Sequence, residues 1–533
     1  MSSLIPLQNC KYLVVEILHD NNLVLEKITL NSLNIRIEST ENFVEILDFL
    51  LVFTGKIYVF DAKILYKIIL KNYKMIEAST LNFLDISMAK SLSDLSTAQQ
   101  IQKSFDNQAF GELIDILEKS LPERISMLWQ STESPLTYIL AKVELNGVFI
   151  NQRALIDIQT ELSENIITLE ISILDLLKTD LNINSTKQLG QALIQKGYKL
   201  GKKGKSGNIS TDRAILETLL EDDEIGLIKQ ILEHRTYIKL HSGFVKPILD
   251  LLDKQTSRIH TTFDQTIVPT GRISSNSPNL QNIPIKNDIY GKKIRACFTA
   301  ESGNLFVGAD YSQAELRFLA HFTQDETLLE IFKSGQDVHI RTAAEIFEVA
   351  ITEVTKSQRR VGKTLNFALL YQQGTFGTAK QLGITVKEAQ GLIDRYFARF
   401  TKVKPFIEDT LFKAANDGYV ETYSGRRRYF TNLKSSNYFL KTLDQRAAFN
   451  AVLQGSNADI IKLAMLGLEN RFKQEGVNYK LVLQVHDELV IEVFKNDAEM
   501  AKKILKEEME LGQPLYVPLE VDVGIGNNWS ELK

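Results

Sequence analysis

The chain has 533 residues, a formal net charge of -4, and 44% hydrophobic against 24% charged residues. That length implies several domains, and that composition an ordinary globular protein able to bury sizeable cores. Its two cysteines, Cys10 and Cys297, exclude a disulfide framework or zinc finger and point to a reducing compartment.

The first residues, MSSLIPLQNCKYLVVEI, lack a basic start, an apolar run and a small-residue cleavage site, so no secretory signal is expected. The apolar stretch Phe43 to Phe60 is broken by Glu45, Asp48, Gly55 and Lys56, too often for a membrane span. A cytoplasmic protein is expected, nucleoid-associated if it binds DNA. The slightly acidic balance argues against a nonspecific polycation but leaves room for local basic patches.

Up to about residue 122, strand-like runs (Tyr12–Ile17, Lys56–Phe60) mix with helical ones (Phe43–Leu51, Ile64–Leu70), which reads as an α/β domain. From Ser134 to about Leu252 the pattern is helical, with long segments at Ala154–Leu177 and Ile225–Leu252. Between them, Ser185 to Gly207 holds six lysines and no acidic residue, which predicts a projecting arm with a basic tip. GlyLysSer at 204–206 superficially resembles a phosphate-binding P-loop, but Lys199 stands where the required glycine would be, excluding that reading. Strand signals return at Ser257–Phe263 and Leu305–Ala309. A helical tract from Gln313 to about Asp417 follows, and then a hairpin whose strands Lys480–Val485 and Leu489–Val493 flank His486 and Asp487.

Two carboxylates stand out. Asp310 ends an apolar strand just before a helix start, and Asp487 sits in the hairpin turn. Either one alone is more often a cap or turn residue. A second pattern lies in Ser357–Gly377, where Arg359, Lys363, Phe367 and Tyr371 are each four apart. Each step drifts about 40° around a helix, so the four form one stripe, cationic at its start and aromatic at its end. That order suits a nucleoside triphosphate, with phosphates at the cations and base and sugar at the rings.

DYSQAELR (310–317) and QVHDELV (484–490) together resemble the two metal-binding motifs of family A DNA polymerases, the group typified by bacterial DNA polymerase I. The stripe matches that family's RxxxKxxxFxxxY pattern at all four positions. The resemblance implies a catalytic pair, Asp310 and Asp487, holding two Mg²⁺ ions (Mn²⁺ as a substitute), with the Tyr311 backbone as a further ligand. Two such ions about 3.5–4 Å apart would activate a primer 3′-hydroxyl and stabilise leaving pyrophosphate. It implies that Glu488 assists through water and Lys363 takes part in catalysis. Arg359, Lys363, Phe367, Tyr371, His339, Gln313 and Ser312 would meet the nucleotide. Glu315 would be a sugar gate whose bulk excludes a ribose 2′-hydroxyl; single-subunit phage RNA polymerases share the fold but lack this Glu.

TGRISSNSPNLQNIP (270–284) matches a further motif of the family, with Arg272 expected at the primer end and Asn279, Gln281 and Asn282 near the duplex minor groove. QRAAFNAVLQGSNADIIK (445–462) supplies Arg446, Asn450 and Gln454, suited to the minor-groove acceptors that all correct pairs share. His486 would contact the primer terminus. Ser185, Thr186, Lys187, Lys202, Lys203 and Lys205 would grip duplex phosphates. There are departures: where the family commonly has glycine after the Phe and after the Tyr, this chain has Ala368 and Gln372. Phe367 rather than Tyr implies poor acceptance of dideoxynucleotides.

The expected fold is an α/β multidomain right hand, its palm an antiparallel sheet and its fingers and thumb helical, preceded by a ribonuclease-H-like domain. Expected boundaries are 1–133 for that first domain, 134–253 thumb, 254–333 first part of the palm, 334–439 fingers and 440–533 second part of the palm. The first domain resembles the family's proofreading 3′–5′ exonuclease, but its metal carboxylates are eroded. Glu16 stands at the Asp place, Leu18 at the Glu place, and Lys63 at a further metal Asp. A domain without proofreading is therefore expected, and no stretch matches the 5′-nuclease of many relatives. The implied partners are primer–template DNA and dNTPs, with no membrane and a monomeric state. A silent DNA-binding protein on this fold is opposed by the presence of both aspartates, an RNA polymerase by Glu315, and a nuclease by the eroded first domain.

Overall fold

Runs of β-branched and aromatic residues become strands where turn residues bound them, and among the described residues two large sheets and three two-stranded ones result. In the computed structural model, residues 4, 7–8, 10–32, 35–200, 209–284, 289–510 and 515–532 are described. The first sheet has five strands in the order 35–39, 25–32, 12–19, 56–59, 83–85. The first three are antiparallel, and Tyr12–His19, Lys56–Val59 and Phe83–Asp85 run parallel. The crossover between the first two parallel strands includes helix Phe43–Val52, and helix Ala62–Asn72 connects the next two. The first runs one residue past its predicting run, and the second two residues past its own at each end.

Helix Ala62–Asn72 also joins this domain to the rest. Lys63 and Lys67, one turn apart on it, each pair at 2.9 Å with Glu144, whose side chain is only 2% exposed. Glu144 lies near the end of helix Ser134–Asn146 and also accepts the Phe263 amide at 2.9 Å, while Lys63 donates to the Phe263 carbonyl. Both oxygens of the buried carboxylate are thus matched, which offsets its desolvation. Removing it strands two half-buried ammonium groups and one amide. Glu144→Ala is expected to cost about 3 kcal/mol; a shift of the urea unfolding midpoint checks this, and an unchanged midpoint would refute the clamp.

The segment expected to form the arm holds helix Gln152–Leu177 and helix Leu227–Leu240, the latter continued through a π-turn (His241–Val245) into Lys246–Leu251. The apolar spacing predicts one helix for these last pieces. Between the two long helices in sequence lies helix Thr186–Gln195, capped by Ser185, which accepts the Gln188 amide. The tip lysines 202, 203 and 205 lie outside the described residues.

The second sheet is antiparallel, in the order Tyr479–Val485, Glu488–Phe494, Asn304–Tyr311, Val521–Gly526. Strand alternation divides its side chains. Val307, Ala309, Tyr311, Leu489, Ile491 and Val493 face the largest core, with Phe449, Ile461 and Leu468 of helix Tyr438–Glu475. Phe306 and Val490 face the opposite core, against Ile294, Phe298 and Trp529. The expected helical tract after Gln313 is not one rod but seven helices from Ala314–Thr323 to Val403–Asp417. Capping residues such as Asp325, Asp337, Thr355 and Thr385 start several of them.

One buried charge network ties these parts together beneath the TGR turn. Glu133 accepts Lys462 (2.6 Å), Arg426 and Gln265 (2.6 Å), and Asp459 accepts Arg426 (2.8 Å) and Thr422 (2.5 Å). Gly271, at φ +83°, lies so close over Arg426 that a Cβ there would sit 2.4 Å from its Nε. Only glycine allows this approach, and it fixes the next residue, Arg272.

Candidate active site

The ladder between Asn304–Tyr311 and Glu488–Phe494 pairs Asp310 with Glu488. Val485 pairs with Glu488, so His486 and Asp487 form a two-residue hairpin turn. Such turns need a positive φ, usually on glycine; His486 takes it at +55°. The Tyr311 amide donates to the Asp487 carbonyl at 3.2 Å, which ties the turn to the end of the neighbouring strand. The two aspartates thereby reach one end of one sheet from segments far apart in sequence.

Asp487 Oδ1 accepts the Asn457 amide at 2.7 Å and lies 3.9 Å from the Arg272 guanidinium. Burial raises its pKa above the ordinary Asp value; Arg272 opposes this and Asp310 adds to it. Arg272 also donates to Glu315 at 2.8 Å. Glu315, in the first turn of helix Ala314–Thr323, is buried, and burial raises its pKa too, against the pull of Arg272. Tyr371 lies against the same carboxylate and its own pKa is raised, chiefly by burial and then by Glu315.

The cationic–aromatic stripe lies on helix Lys356–Leu370, with Tyr371 as its C-cap. Lys363 Nζ is 5.9 Å from the Phe367 ring, and Phe367 stacks on Tyr371 at 6.4 Å and 12°. Arg359 pairs with Asp337 at 2.8 Å. Asp337 in turn caps helix Val338–Phe347, where His339 sits in the first turn. The two helices touch at Gly362, where a Cβ would stand 2.4 Å from the His339 carbonyl. Past the helix, Gln372 takes φ +48°, a left-handed conformation that a glycine holds with less strain.

His339 accepts from Asn366 at 3.1 Å through Nδ1, which leaves its Nε2–H for the pocket. Burial pushes its pKa down to about 4, opposed by Asp337 and aided by Arg359 and Lys363. It is therefore neutral at physiological pH. The unfolded chain takes up this proton near the ordinary value of 6.5 while the folded chain resists it to about 4. The histidine's contribution to stability is thus present above that window and is lost as pH falls through it. His339→Gln is expected to flatten the slope of unfolding free energy between those pH values; an identical slope would contradict the assignment.

Asp310, Asp487, Arg272, Gln313, Glu315, His339, Arg359, Lys363, Phe367, Tyr371 and His486 all line one open cavity of about 550 Å³. That is the size of a site for a small polar ligand. The other predicted residues fall around it. Arg446 is exposed, and Asn450 and Gln454 half-buried, on helix Tyr438–Glu475. Asn279 is exposed, while Gln281 is held by the Ile273 carbonyl (3.0 Å) and Gln484 (3.0 Å). Asn282 is exposed as well. Ser312 does not face the cavity: its hydroxyl donates to Asp522 at 2.7 Å.

Glu488 departs from expectation. It is 2% exposed, accepts the Trp529 indole N–H at 3.1 Å, and lies 4.0 Å from Arg295, itself stacked on that indole. As the first ladder residue it is on the sheet, not in the turn, and it does not line the cavity. Three residues that the motifs do not single out also belong to the site: Asn457, Asp337 and Asn366, which hold Asp487, Arg359 and His339. Asn457 lies seven residues, about two helical turns, after Asn450, a spacing that points to it.

An antiparallel sheet with two aspartates at its end, facing a helix graded from cations to aromatic rings, is the arrangement expected of the right-hand fold. The model of DNA polymerase family A matches residues 152–531. The chain is 42% identical to the thermostable DNA polymerase I of Thermus aquaticus over 413 residues, 77% of this chain and 49% of that one. It is 38% identical to DNA polymerase I of Borreliella burgdorferi over 453 residues, 85% of this chain and 48% of that one. In structure it resembles the POL domain of Pol1 from M. smegmatis, in complex with DNA primer-template and dNTP. That match has a TM-score of 0.89 and 30% identity over 100% of this chain and 98% of the other. The chain belongs to DNA polymerase family A. It spans about half the length of the curated relatives it matches.

Proposed function

We propose that the chain is a template-directed DNA polymerase that adds deoxynucleotides to a primer 3′-hydroxyl, works as a monomer on nucleoid DNA, and does not proofread. The observation that carries the polymerase reading is the single cavity in which Asp310 and Asp487 face Arg359, Lys363, Phe367 and Glu315.

The residues present fit a pair of Mg²⁺ ions. Among the described residues no group of three or more His, Cys, Asp or Glu could hold a metal. Mg²⁺ in phosphoryl-transfer sites needs only one or two carboxylates, the rest being water and substrate phosphate. Burial and the neighbouring Asp310 both raise the Asp487 pKa, which marks a place where positive charge is favourable. Asp310 and Asp487 would hold the ions, with the Tyr311 carbonyl alongside. When bound, the ions supply charge stabilisation at the attacking and leaving oxygens. Arg359, Lys363 and the His339 N–H bind the triphosphate; Phe367 and Tyr371 take the base and sugar. Glu315, fixed by Arg272, fills the space a 2′-hydroxyl would need.

The absence of proofreading is supported by the first domain's side chains. Glu16 is tied to Asn31 at 2.8 Å, Leu18 is exposed, and Lys63 is committed to Glu144. Asp85 is buried, caps helix Ile86–Leu92 and has its pKa raised to about 7, chiefly by burial. The test is a 3′-mismatched primer with Mg²⁺ and no nucleotides. The primer should keep its length; shortening by the purified protein would overturn this part of the reading.

A further inference from the structure

His339 and Arg359 reach the cavity from two different helices, and one carboxylate behind them joins the two. Asp337 divides its oxygens between two tasks. Oδ1 accepts the His339 and Ile340 amides at 2.8 and 2.9 Å, which starts helix Val338–Phe347 and fixes the turn that carries His339. Oδ2 accepts from Arg359 Nε at 3.2 Å and Nη2 at 2.8 Å, near the start of helix Lys356–Leu370. Burial acts against the charge, but Arg359 and the two amides outweigh it and hold the Asp337 pKa below the ordinary Asp value. The carboxylate is therefore ionised at neutral pH. It takes only the Nε–Nη2 edge of the guanidinium. A planar fork held by one edge is oriented by that contact, and the Nη1 end is left for a ligand. Arg359 and His339 line the cavity, whereas Asp337 does not.

The order of groups along the stripe fixes which part of a nucleotide meets this pair. Tyr371 lies against Glu315, and Phe367 stacks on Tyr371. Arg359 precedes Phe367 by eight residues, about 12 Å along the helix axis. With base and sugar at the rings and the reacting phosphate at the aspartates, Arg359 is left for the far end of the phosphate chain. We infer that Asp337 is a positioning residue that makes the site select triphosphates over diphosphates, by orienting Arg359 and seating His339 as one unit at that far end. This rests on the polymerase reading above. A diphosphate stops short of the unit and gains nothing from it. A triphosphate reaches it, and finds the long Arg359 side chain already ordered, so less rotamer freedom is lost on binding.

Asp337→Asn tests this by changing one group. Asn keeps a cap oxygen for the two amides, but its NH₂ cannot accept from Arg359. Asp337→Ser, which also keeps a cap, serves as a second variant should the first fold poorly. Binding of a complementary dNTP and of its dNDP is measured by calorimetry with Mg²⁺, on a primer–template whose primer lacks its 3′-hydroxyl. Wild type should bind the triphosphate more tightly. Asp337→Asn should raise the Kd of the triphosphate about tenfold and leave that of the diphosphate unchanged. Arg359→Ala should lose the same preference, and adding Asp337→Asn to it should lower the preference no further. A purely structural role would weaken both nucleotides alike; that result, an unchanged ratio, or a further loss in the double variant would overturn the inference and leave the polymerase reading intact. Tighter triphosphate binding by Asp337→Asn would also overturn it, showing that Asp337 competes with phosphate for Arg359. Failure of the wild type to bind either nucleotide would instead overturn the polymerase reading, and this inference with it.

Discussion

Asp487→Ala should lose primer extension by a factor of roughly 10³–10⁴, the rate equivalent of about 5 kcal/mol of lost charge stabilisation. Asp310→Ala should do the same. The fold should survive, because Asp487 is in a turn with its side chain 29% exposed. A conservative change separates chemistry from folding. Burial and Asp310 raise the Asp487 pKa, so the folded chain holds this proton more tightly than the unfolded one. The contribution of Asp487 to stability is then greatest at low pH and falls as pH rises through the folded pKa. At neutral pH without metal the ionised carboxylate is a net cost. Asp487→Asn, which can still accept from Asn457, should therefore melt higher than wild type in metal-free buffer while remaining inactive. Added Mg²⁺ should raise the melting temperature of wild type only. A variant that melts lower, or retains extension, would refute the assignment.

Glu315→Ala should lose discrimination in sugar choice. Removing a buried side chain at the cavity wall opens space for a 2′-hydroxyl, and the ratio of kcat/KM for deoxy- over ribonucleotides should fall at least about 10²-fold. Deoxynucleotide incorporation should fall as well, because Arg272 loses its 2.8 Å partner. The two effects differ in readout: the first changes the ratio, the second changes both substrates. Glu315→Gln, which keeps the bulk and a hydrogen-bond acceptor, should retain most of the discrimination. An unchanged ratio in Glu315→Ala would show that another group reads the sugar.

Much of this site is legible in the amino-acid sequence. Apolar runs bounded by polar turns place the strands of Asp310 and Asp487, and a four-residue period places the nucleotide helix. Both signals are local, set by strand and helix geometry. What the sequence hides depends on contacts between distant segments. Glu488 sits in a continuous polar run with His486 and Asp487, so it reads as part of the turn. Its burial depends on Trp529 and Arg295, which local pattern does not bring near. The network of Glu133, Arg426, Asp459 and Lys462 is likewise drawn from three segments; each charge alone looks like an ordinary surface residue. Lys63 reads as an eroded metal ligand, but what it does instead, joining Glu144 to Phe263, depends on how the domains pack. Strand Leu25–Ser32 escapes pattern reading because polar residues interrupt its apolar ones, and its pairing with Tyr12–His19 decides its structure.

Template-directed synthesis is the activity proposed for this cavity. The most direct measurement gives the purified protein Mg²⁺ and a primer annealed to four templates that differ only in the next base, with one dNTP at a time. Extension by one nucleotide should occur with the complementary dNTP on each template, and only weakly with the other dNTPs or with the matching ribonucleotide. No extension on any template, or addition indifferent to the templating base, would contradict it.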